Sequence, residues 1–502
     1  MTEPASSSIL SRRAEAIALA LATLYVLALA YPVHLHVVGV FSDFYRWYAP
    51  DADRIAVGAF PHNTYNPPGY PLLLALVSPL TDDRFAAGKW ISLLAAGLAG
   101  VLAFHLHRRL FGAPSALLAV PIMLSSPTFT MYAIAAMTDV PFVAVCLGAL
   151  LAITHEGSRR RPAALLSGVL CGAAYLLRYN GVFLLVPGVV GTFSGGGSRR
   201  ERAWRTGIYL GSFLLTVAPW LGLNYAQHGS ALYSTNYRDV AREHIAHIDA
   251  RSMSSLVDVV LADPLAFAGS YAQHLGPTMI NSFGASLAPF PVGPLAALGI
   301  VVSVVRYRRR AVLIVLAGAL AFFLLMSLTH WERRYFLFLL ACYSGFAAFA
   351  ITRMAGAIAR LIGRPVAGQV AIAALALLIL VPSVAYSWRA VRTTLARQPI
   401  ELLPAARYLA GVAPPDATVM AVRAQIAYLS RRPWLELPDA GSVEDLERLL
   451  AERPPDYLAY DRWGRFRRGL AALATPTNHP SWLRPIYHDG SVVIYAVEPE
   501  RR

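Results

Sequence analysis

Leu176-Leu177-Arg178-Tyr179-Asn180-Gly181 interrupts an apolar run that otherwise extends from 162 to 194. As a tight turn, it separates two short spans, 162–177 and 181–194; as part of one helix, it inverts the orientation of everything downstream. A membrane span needs about 20 mostly apolar residues. Counting outward from the turn gives eleven candidates, near 14–33, 85–104, 114–131, 138–154, 162–177, 181–194, 206–223, 291–305, 311–329, 335–352 and 366–386. With the turn in place, the arginine clusters fall on alternate loops, as cytoplasmic loops require. Arg12-Arg13, Arg108-Arg109, Arg159-Arg160-Arg161, Arg199 to Arg205, Arg306 to Arg310 and Arg353 to Arg364 share one side. Merging 162–177 with 181–194 would move the downstream clusters across, so the turn is the consistent reading.

Composition agrees with a polytopic chain. Of 502 residues, 56% are apolar and 15% charged, too few charges for a water-soluble body of this size. The formal charge of +15 lies in short arginine runs between apolar segments rather than on one basic domain, which argues against a nucleic-acid partner. Lys89 is the only lysine, read as compositional bias. Cys146, Cys171 and Cys342 fall in apolar stretches without metal-ligand spacing. Arg12-Arg13 before the first span, with no small-residue cleavage site after it, reads as an uncleaved anchor. The expected placement is a multi-pass inner (plasma) membrane protein with its N-terminus cytoplasmic.

Residues 1–390 then form the transmembrane module, with outer loops 34–84 and 224–290. The first loop carries Asp43, Asp51, Asp53, Asp82 and Asp83 against Arg46 and Arg54. It reads as a surface helix from Phe44 to Val57 followed by the turn Asn63-Thr64-Tyr65-Asn66-Pro67-Pro68-Gly69-Tyr70-Pro71. The second mixes polar and apolar residues at helical spacing, as helices lying on a membrane surface do. Residues 391–502 turn soluble. A helix from Glu401 to Ala410 stopped by Gly411, strands at Ala417–Val422, Asp456–Tyr460 and Ser491–Val497, and a capping box at Ser442-Val443-Glu444-Asp445 opening a helix to Glu452 predict a small α/β domain. An odd number of spans makes that domain extracytoplasmic.

Two carboxylates stand at membrane boundaries. Asp43, just after the first span, has the position of a general base that takes a proton from an acceptor hydroxyl; it is equally placed to N-cap the following helix. Asp139, in Thr138-Asp139-Val140-Pro141, reads as a helix start or as a costly, functional intramembrane charge that orients the base or holds a divalent cation. Arg178 suits a phosphate through its planar fork, or is a snorkelling interfacial side chain. Arg333 and Arg334 lie on the outer side, against the positive-inside trend, and make one of the pair a second phosphate candidate. His62, His330 and the one-turn pair His244 and His247 are the metal-ligand candidates, alongside Asp43 and Asp139.

In this order the features resemble the GT-C superfamily of integral-membrane glycosyltransferases, nearest the bacterial relatives of protein O-mannosyltransferases and of the lipid A aminoarabinose transferase. The resemblance is carried by Asp43 after the first span, Tyr48-Ala49, Tyr65-Asn66-Pro67-Pro68-Gly69-Tyr70-Pro71-Leu72-Leu73-Leu74, Thr138-Asp139-Val140-Pro141, Leu177-Arg178-Tyr179-Asn180-Gly181, Ala218-Pro219-Trp220 and Glu332-Arg333-Arg334-Tyr335. It implies a sugar moved, with inversion, from a polyprenyl-phosphate carrier to a glycan, lipid or protein acceptor on the outer face. Asp43 then matches the catalytic acidic residue, Asp139 the second acidic position, and Tyr48, Tyr65, Asn66 and Tyr70 the substrate-binding loop. The aminoarabinose transferases have Lys-Pro where this chain has Asn66-Pro67, which shifts the phosphate contact to Arg178 or the 333–334 pair.

Three other classes share the gross pattern. A secondary transporter would show repeated halves with broken helices, and no internal repeat is found. A non-catalytic scaffold would not gather Asp43 and Asp139 into one cavity. A lipid-diphosphate-dependent ligase or polymerase would carry its large outer loop late in the chain.

Overall fold

A computed structural model describes residues 5–498 apart from 63, 82, 156–159, 251, 252, 254, 286, 451–453 and 478. Asn63, Asp82, Arg159 and Glu452 of the sequence reading lie outside the described residues. The chain divides into two compact units, one of residues 1–35, 61–82 and 86–394, the other of 36–60, 83–85 and 395–502. Residues 36–60, expected to cap the membrane module, belong instead to the C-terminal unit.

All eleven apolar segments are helical. Among the described residues, five helices are each long and apolar enough to cross a membrane: Arg12–Leu35, Arg84–Phe111, Arg199–His228, Arg333–Ile362 and Pro365–Ala396. The expected span 114–131 is a broken helix, Ala113–Leu124 and Pro127–Ala133, bent by 67°. Pro127 opens the second piece, where its missing N–H costs nothing. Counting this pair as one span makes six. The shorter apolar helices, such as Asp139–Ile153 with 15 residues, rise only about 1.5 Å per residue and fall short of a hydrocarbon core of about 30 Å. Helix Leu337–Ile362 is the most buried of the spans and carries the core of the unit. The Phe338 ring packs at a tilt against Phe183 and Phe322, at centroid distances of 4.8 and 5.0 Å.

The deciding turn is present. Helix Arg160–Leu177 ends, Arg178 takes an extended conformation (φ −152°, ψ 131°), and a 3-10 turn at Tyr179–Leu184 leads into helix Leu185–Phe193. The reversal requires glycine at 181, because a Cβ there would lie 2.4 Å from the backbone of Ala174 and Tyr175. Residues 229–290 hold three helices, Tyr237–His244, Leu256–Ala262 and Pro264–Phe283. Val240, Ala241, Ile245, Met253 and Val259 form a small core of their own there.

The second unit is built on a five-stranded sheet: β1 (Val419–Ala421), β2 (Trp434–Glu436), β3 (Tyr457–Tyr460), β4 (Leu483–His488) and β5 (Val493–Val497), in the order β2-β1-β3-β5-β4. β1 runs parallel to β2 and β3, whereas β5 is antiparallel to β3 and β4. Val419 and Ala421 face one apolar cluster with Leu402, Leu409 and Ile494, and Met420 faces another with Leu446, Leu458 and Tyr495. The sheet is therefore covered on both faces, as parallel strands require. β2 and β4 escape the sequence reading because β2 is three residues long and β4 is an edge strand holding Pro485 at an irregular register. Gly411 does not stop the helix expected from Glu401, which runs from Leu402 to Val412 and ends before Pro414-Pro415.

Asp461, directly after β3, is buried, and its Oδ1 accepts from the backbone N–H of Trp463 (2.9 Å) and Gly464 (3.2 Å). Burial pushes its carboxyl up to about 6 despite those bonds. A raised folded pKa means that stability present below about pH 4 is lost as pH rises through about 6, a penalty on the order of 3 kcal/mol at neutral pH. Asp461→Asn keeps the accepting oxygen and removes the charge. We expect the variant to be more stable than the wild type at pH 7–8 and to lose the pH dependence between 4 and 6, read by thermal unfolding across pH. An identical pH dependence in both proteins would show that Asp461 does not ionise in that range.

Candidate functional site

In the helical unit, three sequence elements meet at Arg178. Its extended backbone points the side chain back to the start of helix Asp139–Ile153, where Nη1 donates to Asp139 Oδ1 at 2.6 Å and to Thr138 Oγ1 at 3.2 Å. The Asp139 side chain is 1% exposed and that of Arg178 19%. Asp139 is the first residue of its helix, where a negative charge meets the positive end of the dipole. Its Oδ2 is buried without a hydrogen-bond partner among the described residues. Asp139 thus stands at a helix start, and its partner is a guanidinium.

The third element is Glu332-Arg333-Arg334-Tyr335. The Tyr335 ring lies against both guanidiniums, with its centroid 5.3 Å from Arg178 Cζ and 5.1 Å from Arg334 Cζ. Glu332 pairs with Arg334 at 2.9 Å. Tyr132, from the broken helix, lies in the field of Asp139, Arg334, Glu332 and Tyr335. Of the arginine pair, Arg334 joins this cluster while Arg333 is exposed. Two guanidiniums thus flank one aromatic ring, each paired with a carboxylate, Arg178 with Asp139 and Arg334 with Glu332.

The Tyr65–Tyr70 turn serves different ends. Tyr65 donates to Asp239 Oδ2 at 2.5 Å, and Asp239 also accepts from Arg242 at 2.8 Å. Asn66 is partly exposed beside it. Tyr70 is fully buried against helix Arg84–Phe111, its hydroxyl 3.4 Å from the Gly88 carbonyl, a packing position.

The histidine candidates do not converge. His62 and His330 are exposed. His244 commits one ring nitrogen to Ser270 and the other to the Leu328 carbonyl, both at 3.0 Å, and His247 faces Asp263 at 3.2 Å. Among the described residues no three His, Cys, Asp or Glu side chains are grouped to hold a metal ion. His244 ends its helix and His247 lies in the turn beyond it, so each has its own partner, Ser270 and Asp263 respectively.

Asp43 belongs to the second unit. It sits at the N-cap position of a single π-helical turn, Phe44–Tyr48, that continues into helix Ala49–Ala56. Its backbone is already helical (φ −53°, ψ −38°) and its side chain makes no capping hydrogen bond. The cap reading is therefore not realised. Tyr48 is buried at the end of the same turn.

Two residues carry more than their sequence signal suggested. Lys89, read as compositional bias, is buried, and its ammonium donates to the Val33 carbonyl at 2.7 Å. An ammonium at that depth is costly, and its being the sole lysine of an arginine-biased chain was the available clue. Arg423, between β1 and helix Gln425–Leu429, donates to the Val40 carbonyl three residues before Asp43. Nothing in the local sequence around Arg423 announces that contact.

Residues 65–222 match the dolichyl-phosphate-mannose-protein mannosyltransferase family. No curated protein sequence matches the chain. Among solved structures, the chain is similar to ArnT from Cupriavidus metallidurans bound to undecaprenyl phosphate, with a TM-score of 0.58 at 17% identity over 98% of both chains. It is also similar to the archaeal oligosaccharyltransferase AglB from Archaeoglobus fulgidus in complex with an inhibitory peptide and a dolichol-phosphate, with a TM-score of 0.59 at 12% identity over 89% of this chain and 69% of that one. The chain therefore shares the fold of these two structures, and with five or six helices among the described residues long and apolar enough to cross a membrane it is a multi-pass membrane protein.

Proposed function

We propose that this chain is an inverting membrane glycosyltransferase that moves a sugar from a polyprenyl-phosphate donor to an acceptor on the outer face of the membrane. The observation that carries the reading is the Asp139–Arg178–Tyr335–Arg334 cluster, in a fold whose ArnT example was solved with a polyprenyl phosphate. In this scheme Arg178 and Arg334 bind the donor phosphate and neutralise the charge that builds on it as the glycosidic bond breaks. Asp139 fixes Arg178 in place. Asp43 takes the proton of the acceptor hydroxyl as that oxygen attacks the anomeric carbon from the face opposite the phosphate. A lipid phosphate leaves without help from a nucleotide, so the residues needed are a base and cations, which is what the chain offers.

The reaction is tested with purified protein in proteoliposomes, a polyprenyl-phosphate sugar and an acceptor extract. Acceptor-dependent release of free polyprenyl phosphate is expected, and release that ignores the acceptor would count against transfer. The scheme also needs an odd number of crossings, with the N-terminus inside and the C-terminal unit outside. Reporter fusions after Arg310 and after Arg397 should then report opposite sides, and a shared side would rule out that topology.

A further inference from the structure

We propose that Arg423 of the C-terminal α/β unit is a positioning residue for transfer, holding the segment that bears Asp43 from the crevice at the carboxyl ends of β1 and β3. The proposal rests on the reading of Asp43 as the base. The sheet order places β2 on one side of β1 and β3 on the other, so the chain changes direction between β1 and β3. In such parallel sheets the crevice beyond the strand ends is where a fold places its binding groups. Here the groups are Arg423, two residues past β1, and Asp461, directly past β3. The Arg423 guanidinium lies over the Trp463 ring at 4.6 Å and within the field of both Asp461 and Asp43. What it grips is the Val40 carbonyl.

The same segment is held at further points by this unit. The amide of Gln398 accepts from the backbone N–H of Val37 at 2.6 Å and of Val38 at 3.2 Å. Arg46 reaches Glu436 of β2 at 2.9 Å and lies 4.9 Å from the Trp434 ring. Within the segment, the Gly39 N–H donates to Tyr45 Oη at 2.9 Å, closing a loop around Asp43. Gly39 leaves room for the Phe85 ring, which a Cβ there would meet at 2.9 Å and push aside. Side chains of the C-terminal unit thus clamp a closed loop before and after Asp43, Arg423 at Val40 and Glu436 at Arg46, each three residues from Asp43. A base must be held close to its productive geometry to act, and misplacement by about 1 Å costs on the order of a hundredfold.

The test is a double-mutant cycle on full-length protein in proteoliposomes, with Arg423→Met and Arg423→Lys made on wild-type and Asp43→Asn backgrounds. Arg423→Met should lower kcat about tenfold or more with the donor KM within about twofold, and Arg423→Lys should recover part of the loss. On the Asp43→Asn background, Arg423→Met should cost nothing further, because it acts through Asp43. Hydrogen exchange gives a second reading that survives a drop in overall stability: the amides of 37–45 should exchange faster in Arg423→Met than those of β3 and β5. Equal losses on the two backgrounds, or unchanged exchange in 37–45, would overturn the positioning role while leaving Asp43 as the base. Wild-type transfer by Asp43→Asn would instead remove the base, and this proposal with it.

Discussion

Asp43→Asn is expected to lower the rate of glycosyl transfer about a hundredfold or more while leaving the protein folded, the range in which loss of a general base falls. The substitution is close to isosteric and removes the proton acceptor together with its charge, which faces Arg423. Asp43 makes no capping hydrogen bond, so its replacement withdraws no cap from the Phe44–Tyr48 turn. The measurement is the initial rate of transfer from a polyprenyl-phosphate sugar, with thermal stability followed on the same preparation. A stable Asp43→Asn protein that transfers at the wild-type rate would remove Asp43 from the chemistry.

Arg178→Ala is expected to act on stability and on the donor together. It leaves the Asp139 carboxylate buried and uncompensated, a change that typically costs about 3–5 kcal/mol. Arg178→Lys keeps a charge near Asp139 but loses the fork, so it should weaken donor binding by about 1–3 kcal/mol with a smaller effect on folding. The double replacement Arg178→Ala with Asp139→Ala separates the two roles. Removing both charges should restore much of the stability, whereas donor affinity stays low. If the double variant bound donor like the wild type, the cationic cluster would not be the phosphate site.

The parts of this arrangement that were legible in the sequence are those written locally. The turn at Arg178 shows itself by a polar triplet and Gly181 between two apolar runs, and its geometry follows from the one residue that fits against Ala174. The helical segments follow from apolar runs, although hydropathy says nothing of the bend at Pro127 or of which short helices are long enough to cross. Asp139 and Arg178 were each singled out, but 39 residues separate them and only tertiary packing makes them a pair. The choice of Arg334 over Arg333 depends on which side of a 3-10 turn faces Tyr335, which a charge pattern does not encode. Residues 36–60 went to the wrong body because adjacency in the chain favoured the first span. The contacts that decide it, from Gln398, Arg423 and Glu436, come from more than 350 residues away.

The most direct test of transfer from a lipid-phosphate donor is mass spectrometry of envelope glycans and lipid-linked sugars from cells with the protein, without it, and with Asp43→Asn in its place. The account predicts that both altered strains lose one sugar from an envelope glycan and accumulate the corresponding polyprenyl-phosphate sugar. Glycans and lipid-linked sugars unchanged in all three strains would contradict it.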